Sequence, residues 1–394
     1  MATPPPLQNP PNSSLVLGGP LFKILWHFDS THSVPRVLRR QAAISVFLCW
    51  VPLAVLSLAQ AHFLGGVKLS FLRDIETHVR FLVSLPMMIL AEIVADRRIR
   101  PIVKRFLERH VIVPEDLPKF NAAISAARRI HDSATADIVL LVFVYTAGIL
   151  IWRHQILGGA ASWYASPTGA QIHLTMAGYW LALVSVPAFQ FVVLRWYMQF
   201  LIWFGFLFRV SRLNLHLSTL HPDRAAGLGF VGGSSLVFAP LLFAHSALLS
   251  GQIASRVLYN GESLFASKLI FLGYVAFSIA AVLAPLFCFT PHLVHAKRKG
   301  IARYGNFASR FVTDFDQKWL KGEANVEPTL AGQDIQSLAD LSNSFAVVRG
   351  MRFVPIGNHD IALLFVTAIA PFVPLLLTVM PIDELVIHAL KIVF

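Results

Sequence analysis

LVFAPLLFAHSALLSGQIAS, residues 236–255, is a run of twenty residues that contains no Asp, Glu, Lys or Arg. A helix needs about 20 apolar residues to cross the hydrocarbon core of a bilayer. Comparable apolar blocks recur along the chain and predict an all-α membrane protein with about seven transmembrane helices. The predicted spans are residues 41–64, 79–96, 137–153, 172–194, 234–257, 267–290 and 361–380.

The composition and the charge agree with this prediction. Of the 394 residues 56% are hydrophobic and 14% charged, whereas roughly a quarter of an ordinary soluble domain is charged. The net charge of +12 comes largely from segments that flank the spans, with nine Lys and Arg in 97–136 and nine in 291–360. This pattern favours a cytoplasmic N-terminus and contact with anionic lipid headgroups. It argues against nucleic acid as a partner.

The chain divides into a tail and a membrane domain. Residues 1–40 are predicted to be a cytoplasmic N-terminal tail, in which PLFKILWHF, residues 20–28, forms a short interfacial segment. Residues 41–394 are predicted to form the transmembrane helical domain, with amphipathic cytoplasmic helices in 97–136 and 291–360. These segments are too short for an independent enzyme domain. The last stretch, DELVIHALKIVF, is too short to span and is predicted to lie in the outer interface.

A glycine-rich loop, HPDRAAGLGFVGG, joins two spans at residues 221–233. One interpretation is an anion site, because glycines expose backbone N–H groups and Ser234 or Ser235 then caps a new helix. The other is a joint, in which Pro222 fixes a turn and Asp223 caps it. We favour the joint and keep the anion site open. The residues concerned in either case are His221, Asp223, Arg224, Gly227 and Gly229.

The same loop carries a resemblance. HPDRAAGLGF resembles the HPDRxGGLGF signature of a family of bacterial multi-spanning inner-membrane proteins. RYGNFASRFVTDFDQKWL and FAVVRGMRFVPIG, later in the chain, are also similar to that family. Ala226 departs from the pattern, which has a glycine at that position. The resemblance implies a bacterial inner-membrane protein and provides no catalytic residues.

Polar residues inside the predicted spans are the main candidates for a functional site, because such residues are costly in a bilayer. Arg195 and Gln199 share a helix face, and Arg195 is predicted to snorkel to the surface or to line a path. The helix itself either runs on to residue 208 or breaks near Arg195. His245 and Gln252 face one way, in the core or along a path. Glu92 is predicted to pair with a nearby arginine at the membrane surface, with an ion path as the alternative.

Metal and cofactor signatures are weak in this sequence. Cys49 and Cys288 have no metal-binding spacing. His292 and His295 lack a third ligand nearby, and His245 has no second histidine at its depth for haem. We therefore predict no metal and no cofactor, and we do not favour an enzyme.

These features favour passage of an ion or small solute, by a channel-like or transporter-like protein that is a homo-oligomer. Prolines in six of the seven spans support this prediction, since kinked helices create cavities. Two alternatives remain. One is a membrane scaffold or assembly factor that binds another complex through its basic helices. The other is a redox or lipid-modifying enzyme of the membrane.

Overall fold

Helices make up 83% of the structure, a computed structural model that describes residues 26–27, 33–65, 67, 69–150, 162–168, 171–320 and 328–376. In this part of the chain six helices are long and apolar enough to cross a membrane. A seventh span is obtained if a pair of helices bent by 47°, Pro114–His131 and Ala134–Gly148, forms one crossing. The predicted class, an all-α membrane protein with about seven transmembrane helices, is confirmed.

The spans follow the predicted order, and their bounds differ by several residues. We number them from the N-terminus and count Ala134–Gly148 as the third. The first to seventh spans are Val34–Ala59, Ile75–Glu108, Ala134–Gly148, Met176–Val210, Gly229–Tyr259, Leu264–Trp319 and Asn358–Leu375. Between the third and fourth spans, Ala165–Thr168 and Gln171–Leu174 form an antiparallel hairpin, in which Ser166 pairs with His173. Residues 172–174, predicted to begin a span, therefore belong to a strand.

Several spans run past the bilayer as continuous helices. The fourth does not break at Arg195 and reaches Val210. At 1.5 Å per residue its 35 residues extend about 52 Å, against a hydrocarbon core of about 30 Å. The second and sixth spans likewise continue into the basic segments. The amphipathic helices predicted as separate elements for residues 100–113 and 297–320 are instead continuations of the second and sixth spans, because the hydrogen-bonded ladder continues where the apolar pattern stops.

Prolines mark the points where a span changes its helical geometry. Proline has no N–H group and its ring clashes with the carbonyl four residues earlier, so the neighbouring turn widens or tightens. The π turns Val79–Ser84 and Leu181–Ser185 stand before Pro86 and Pro187, and the 3₁₀ segment Gly229–Phe238 stands before Pro240. Pro285 and Pro371 lie inside 3₁₀ turns. The predicted link between proline and helix distortion holds at these five positions, but not at Pro52, which lies inside the uninterrupted α-helix Val34–Ala59.

Contacts between distant segments bring the basic ends of the spans together. Phe106 packs edge-to-face against Phe230, with ring centroids 4.9 Å apart. Ile112 pairs with Leu215, and His216 N donates to the Val111 carbonyl. We call this side of the bundle the basic end. At the opposite end Trp163 Nε1 donates to Asp74 Oδ2 over 2.9 Å.

Two predicted interfacial segments lie mainly or wholly outside the described residues. Of PLFKILWHF only residues 26 and 27 are described. The C-terminal DELVIHALKIVF is not part of the described chain.

Candidate functional site within the membrane

A cavity of about 440 Å³ lies between the first four spans. Its walls are mostly apolar and include Leu48, Leu85, Leu141 and Phe191. The lining residues nearest the basic end are polar on all four spans, namely Gln41, Glu92, Asp137 and Arg195. An apolar chamber with a few convergent polar groups at one end is the usual form of a small-molecule site.

The charged residues at this end form a buried cluster. Arg195 Nη1 donates to Asp137 Oδ1 over 2.6 Å, and the two side chains are 5% and 12% exposed. Glu92 is 5% exposed and lies within electrostatic range of Arg195. Within the described chain, Arg195 Nε and Nη2 and Glu92 Oε2 have no hydrogen-bond partner. Buried polar atoms normally have one, so this cluster has binding capacity that the protein itself does not use.

Two predictions about these residues were wrong. Arg195 does not snorkel, since only 4% of the residue is exposed and a carboxylate on another span holds it. Glu92 forms no ion pair with the arginines that follow it, because its side chain points into the bundle. Asp96, one turn later, pairs with Arg100 over 2.6 Å instead.

Asp137 is the residue that sequence reasoning missed. It stands at the start of an apolar block, in ATADIVLLVF, three residues after the helix begins at Ala134. At that position it looks like a charged residue that marks the boundary between a span and the water-exposed chain. An intramembrane arginine nonetheless requires a carboxylate partner somewhere. That requirement could have pointed to a buried carboxylate, although it does not identify which carboxylate pairs with Arg195.

The other predicted path residues do not join the cluster. Gln199 lies one turn beyond Arg195 and is buried beside Trp196 and Trp203, outside the main cavity. Gln252 is exposed, and its Nε2 donates to Glu76 Oε1 over 3.5 Å near the opposite end.

His245 belongs to a separate pair with the fourth span. Its Nδ1 lies 2.9 Å from the Leu241 carbonyl, which only accepts, so Nδ1 carries the proton and donates. The Tyr197 hydroxyl lies 2.7 Å from Nε2 and forms a hydrogen bond with it. Both ring nitrogens are satisfied, so His245 is held as a core histidine.

The glycine-rich loop is organised around Asp223. Its Oδ1 accepts from Ala225 N over 2.8 Å and from Gly227 N over 3.1 Å, and its Oδ2 accepts from Gly229 N over 2.9 Å. His221 Nδ1 lies 2.9 Å from Oδ1. Burial raises the pKa of Asp223, but the three backbone donors outweigh it and the pKa lies below its ordinary value. The carboxylate thus occupies the N–H groups that an external anion would use.

The loop also docks on a distant part of the chain. Arg352 N donates to the Arg224 carbonyl over 2.7 Å, and Gly232 packs against the backbone of Pro355 and Ile356. Two of the segments that carry the family resemblance therefore meet here. Arg224, with φ 54°, and Ala226, also with φ 54°, adopt left-handed conformations, and so does Gly227 with φ 94°.

The serines after the loop do not begin a helix as predicted. Ser234 and Ser235 are buried within a 3₁₀ segment, Gly229–Phe238, and Ser235 Oγ donates to the Gly232 carbonyl over 2.8 Å. The α-helical part of the fifth span begins only at Ala239.

Among the described residues no group of three or more His, Cys, Asp or Glu side chains is arranged to hold a metal ion. His292 contacts the Ser211 carbonyl. Comparison of the chain with protein-family models, with curated proteins and with solved structures returned no match. The family resemblance of the HPDRAAGLGF segment accordingly stays a prediction.

Proposed function

We propose that this protein carries a small solute across the bacterial inner membrane, with its N-terminus in the cytoplasm. The observation that carries the proposal is the buried cluster of Glu92, Asp137 and Arg195 at one end of the apolar cavity. Ionisable groups inside a membrane bundle are expensive and mark solute or ion pathways by default. Within the part of the chain that the structure describes, some of their polar atoms also lack hydrogen-bond partners, which suits a solute-binding site.

The third span is the moving element in this proposal. Its α-helical part, Ala134–Phe143, has no buried residue, and Ile138 is 60% exposed. It touches the fourth span at a few points. They include the Asp137–Arg195 ion pair, the Tyr145 hydroxyl donating to the Leu183 carbonyl over 2.9 Å, and Gly148, whose missing Cβ leaves room for Gln190. In the rest of the span, Val144–Gly148, only Val144 and Gly148 are buried. A wall that buries so few of its residues opens at low cost.

The π turns provide the second argument. Val79–Ser84 and Leu181–Ser185 lie in the two spans that face the third span across the cavity, and Val184 and Leu85 are lining residues. π turns inside α-helices frequently occur at functional sites. In the proposed mechanism the second and fourth spans bend at these turns while the third span moves.

Uptake of small molecules from a mixture tests the carrier hypothesis. Proteoliposomes containing the purified protein are incubated with a small-molecule extract of the source cells, filtered, and analysed by mass spectrometry. We expect at least one solute to accumulate above the level in protein-free liposomes. Ile138→Trp, which fills the cavity from its loosely packed wall, should abolish that accumulation. Asp96→Asn, on the second span but outside the cavity, is the matched control. Accumulation unchanged by Ile138→Trp, or absent from the wild type, would overturn the proposal.

A scaffold is the second candidate, favoured by one observation at the basic end. The sixth span continues as an exposed helix against which Pro328–Arg349 packs, and the pair exposes Phe307 and Ile335, each 57% accessible. Exposed apolar residues beside basic ones suit a partner protein. Co-purification from native membranes, compared between the wild type and a Phe307→Ser/Ile335→Ser variant, tests it. A partner lost only in the variant favours the scaffold.

The oligomeric state belongs to the same proposal. The sixth span exposes Leu269, Leu272 and Phe277 along its apolar part, at 74%, 57% and 74% accessibility. This surface faces lipid or a second copy of the chain. Native mass spectrometry of the gently extracted protein distinguishes a homo-oligomer from a monomer.

A further inference from the structure

The charges that line the cavity do not sum to zero when all are ionised. Glu92 and Asp137 contribute two negative charges and Arg195 one positive charge. No other described residue in the lining is an Asp, Glu, Lys, Arg or His. The fully ionised site therefore holds one negative charge in excess.

An uncompensated charge in an apolar interior is penalised by several kcal/mol. Two species neutralise the excess with no further change in the protein, a proton or a monovalent cation. Asp137 already has an ion-pair partner at 2.6 Å. Glu92 has none in the described chain, and its Oε2 also lacks a hydrogen-bond donor. Glu92 is therefore the group that takes up either species.

We infer that Glu92 exchanges one proton for one cationic group, and that the solute is a monovalent organic cation with an apolar body. This inference rests on the proposed carrier function and names its solute class. When the site is empty, the Glu92 carboxyl holds a proton. When the cation enters, the O–H bond breaks, the proton leaves to water, and the carboxylate pairs with the cation. No other bond changes, and the charge of the cavity stays zero.

The cavity walls determine the size and polarity of the solute beyond its cationic group. Beyond the polar end, side chains such as Leu48, Leu141 and Phe191 offer about 440 Å³ of largely apolar space, which a small inorganic ion would leave empty. Arg195 repels a cation from the Asp137 side and so directs it to Glu92. The alternative occupant is an anion on Nε and Nη2 of Arg195, which have no partner among the described residues. It would restore the excess negative charge even with Glu92 protonated.

Two probes of nearly equal shape and opposite charge distinguish these occupants. Tetraphenylphosphonium and tetraphenylborate are each titrated into the purified full-length protein in detergent, and proton release is followed with an indicator dye. We expect tetraphenylphosphonium to bind with release of about one proton, and its affinity to rise about tenfold per pH unit while Glu92 holds its proton. Tetraphenylborate should bind at least tenfold more weakly.

Variants of the second span locate the effect. Glu92→Gln should abolish proton release and weaken tetraphenylphosphonium at least tenfold, whereas Asp96→Asn should behave as the wild type. If Glu92→Gln does not elute as a folded protein in gel filtration, Glu92→Asp replaces it and should retain proton release with weaker binding.

Three results would overturn the inference. They are binding of tetraphenylphosphonium without proton release, preference for tetraphenylborate with dependence on Arg195, and failure of both probes to bind. The carrier proposal would still hold in each case if the wild type takes up a solute and Ile138→Trp does not.

Discussion

Two aspartates in this chain, Asp137 in the third span and Asp223 in the glycine-rich loop, stand in similar surroundings and have different hydrogen bonding. Each lies near an arginine in sequence or in space, and each side chain is mostly removed from solvent, with 12% and 19% exposed. Asp223 accepts three backbone N–H groups. Asp137 holds Arg195, which keeps two nitrogens unsatisfied within the described chain, beside an unsatisfied Glu92 oxygen.

The difference separates architecture from binding capacity. A buried polar group whose partners all come from the protein stabilises the fold and has nothing left for a ligand. A buried group with unused donors carries a penalty that a ligand relieves. The glycine-rich loop, which is the more conspicuous motif in the sequence, is thus the site in which the protein itself supplies the hydrogen-bond partners of the aspartate. The inconspicuous Asp137 belongs to the unsatisfied one.

The largest effect is expected from removing Arg195. Arg195→Met leaves the Asp137 carboxylate buried without its counter-ion, which should lower the free energy of unfolding by about 3–5 kcal/mol. The double variant Arg195→Met/Asp137→Asn should recover most of that loss, because the stranded carboxylate is gone. Thermal unfolding in detergent measures both variants.

Solute uptake should stay absent in the double variant although its stability returns. Equal stability of the single and double variants would mean that the ion pair does not hold the third span. Recovery of uptake would mean that the cluster is architectural, as the loop is.

Asp223→Ala is expected to have the next largest effect. It removes the acceptor of three backbone donors, and hydrogen bonds to a charged group contribute about 1.5–3 kcal/mol each. With partial solvent access the net loss should be about 3 kcal/mol, measured by the same unfolding assay. Asp223→Asn, which keeps one good acceptor, should lie between the wild type and Asp223→Ala.

The pH dependence of stability provides a check on the same site. Because the folded-state pKa of Asp223 lies below its ordinary value, its contribution is fully present above the ordinary range near pH 4. It is lost as the pH falls through the lower folded-state pKa. The stability difference between wild type and Asp223→Ala should therefore shrink in acid. A difference that is constant down to strongly acidic pH would contradict the role of the carboxylate.

The two sites also show what a sequence can predict. Twenty-residue apolar runs such as 236–255 predicted the spans, because hydropathy is a property of the segment itself. The depth of Arg195 and its choice of Asp137 depend on how spans 58 residues apart in sequence pack, which no local pattern encodes. The docking of Arg224 on Arg352 is non-local in the same way. In contrast, the turn at Asp223 was predicted correctly, because its donors lie within six residues.

Gly232→Ala tests whether the loop is clamped as firmly as its hydrogen bonds indicate. A Cβ at Gly232 would overlap the Pro355 carbonyl oxygen and lie 2.9 Å from Ile356 Cα, and both are backbone atoms. Overpacking of this kind should destabilise the protein by about 1–3 kcal/mol. Gly233→Ala is the matched control, since nothing lies within 4 Å of its Cβ position. Equal stability of the two variants would mean that the Gly229–Phe238 segment moves away from residues 355 and 356 readily.

The smallest effect is expected at Arg224, and it bears most directly on the comparison. Arg224 has φ 54°, a left-handed conformation that disfavours side chains by about 1–2 kcal/mol. Glycine removes this strain but has more entropy to lose on folding, so Arg224→Gly should stabilise the protein by roughly 0.5–1 kcal/mol. Ala226→Gly relieves the same strain but also removes a buried methyl group, and it should change stability less.

If Arg224 only shapes the joint, uptake should persist in Arg224→Gly. If uptake is lost while stability rises, the loop and the intramembrane cluster belong to one pathway.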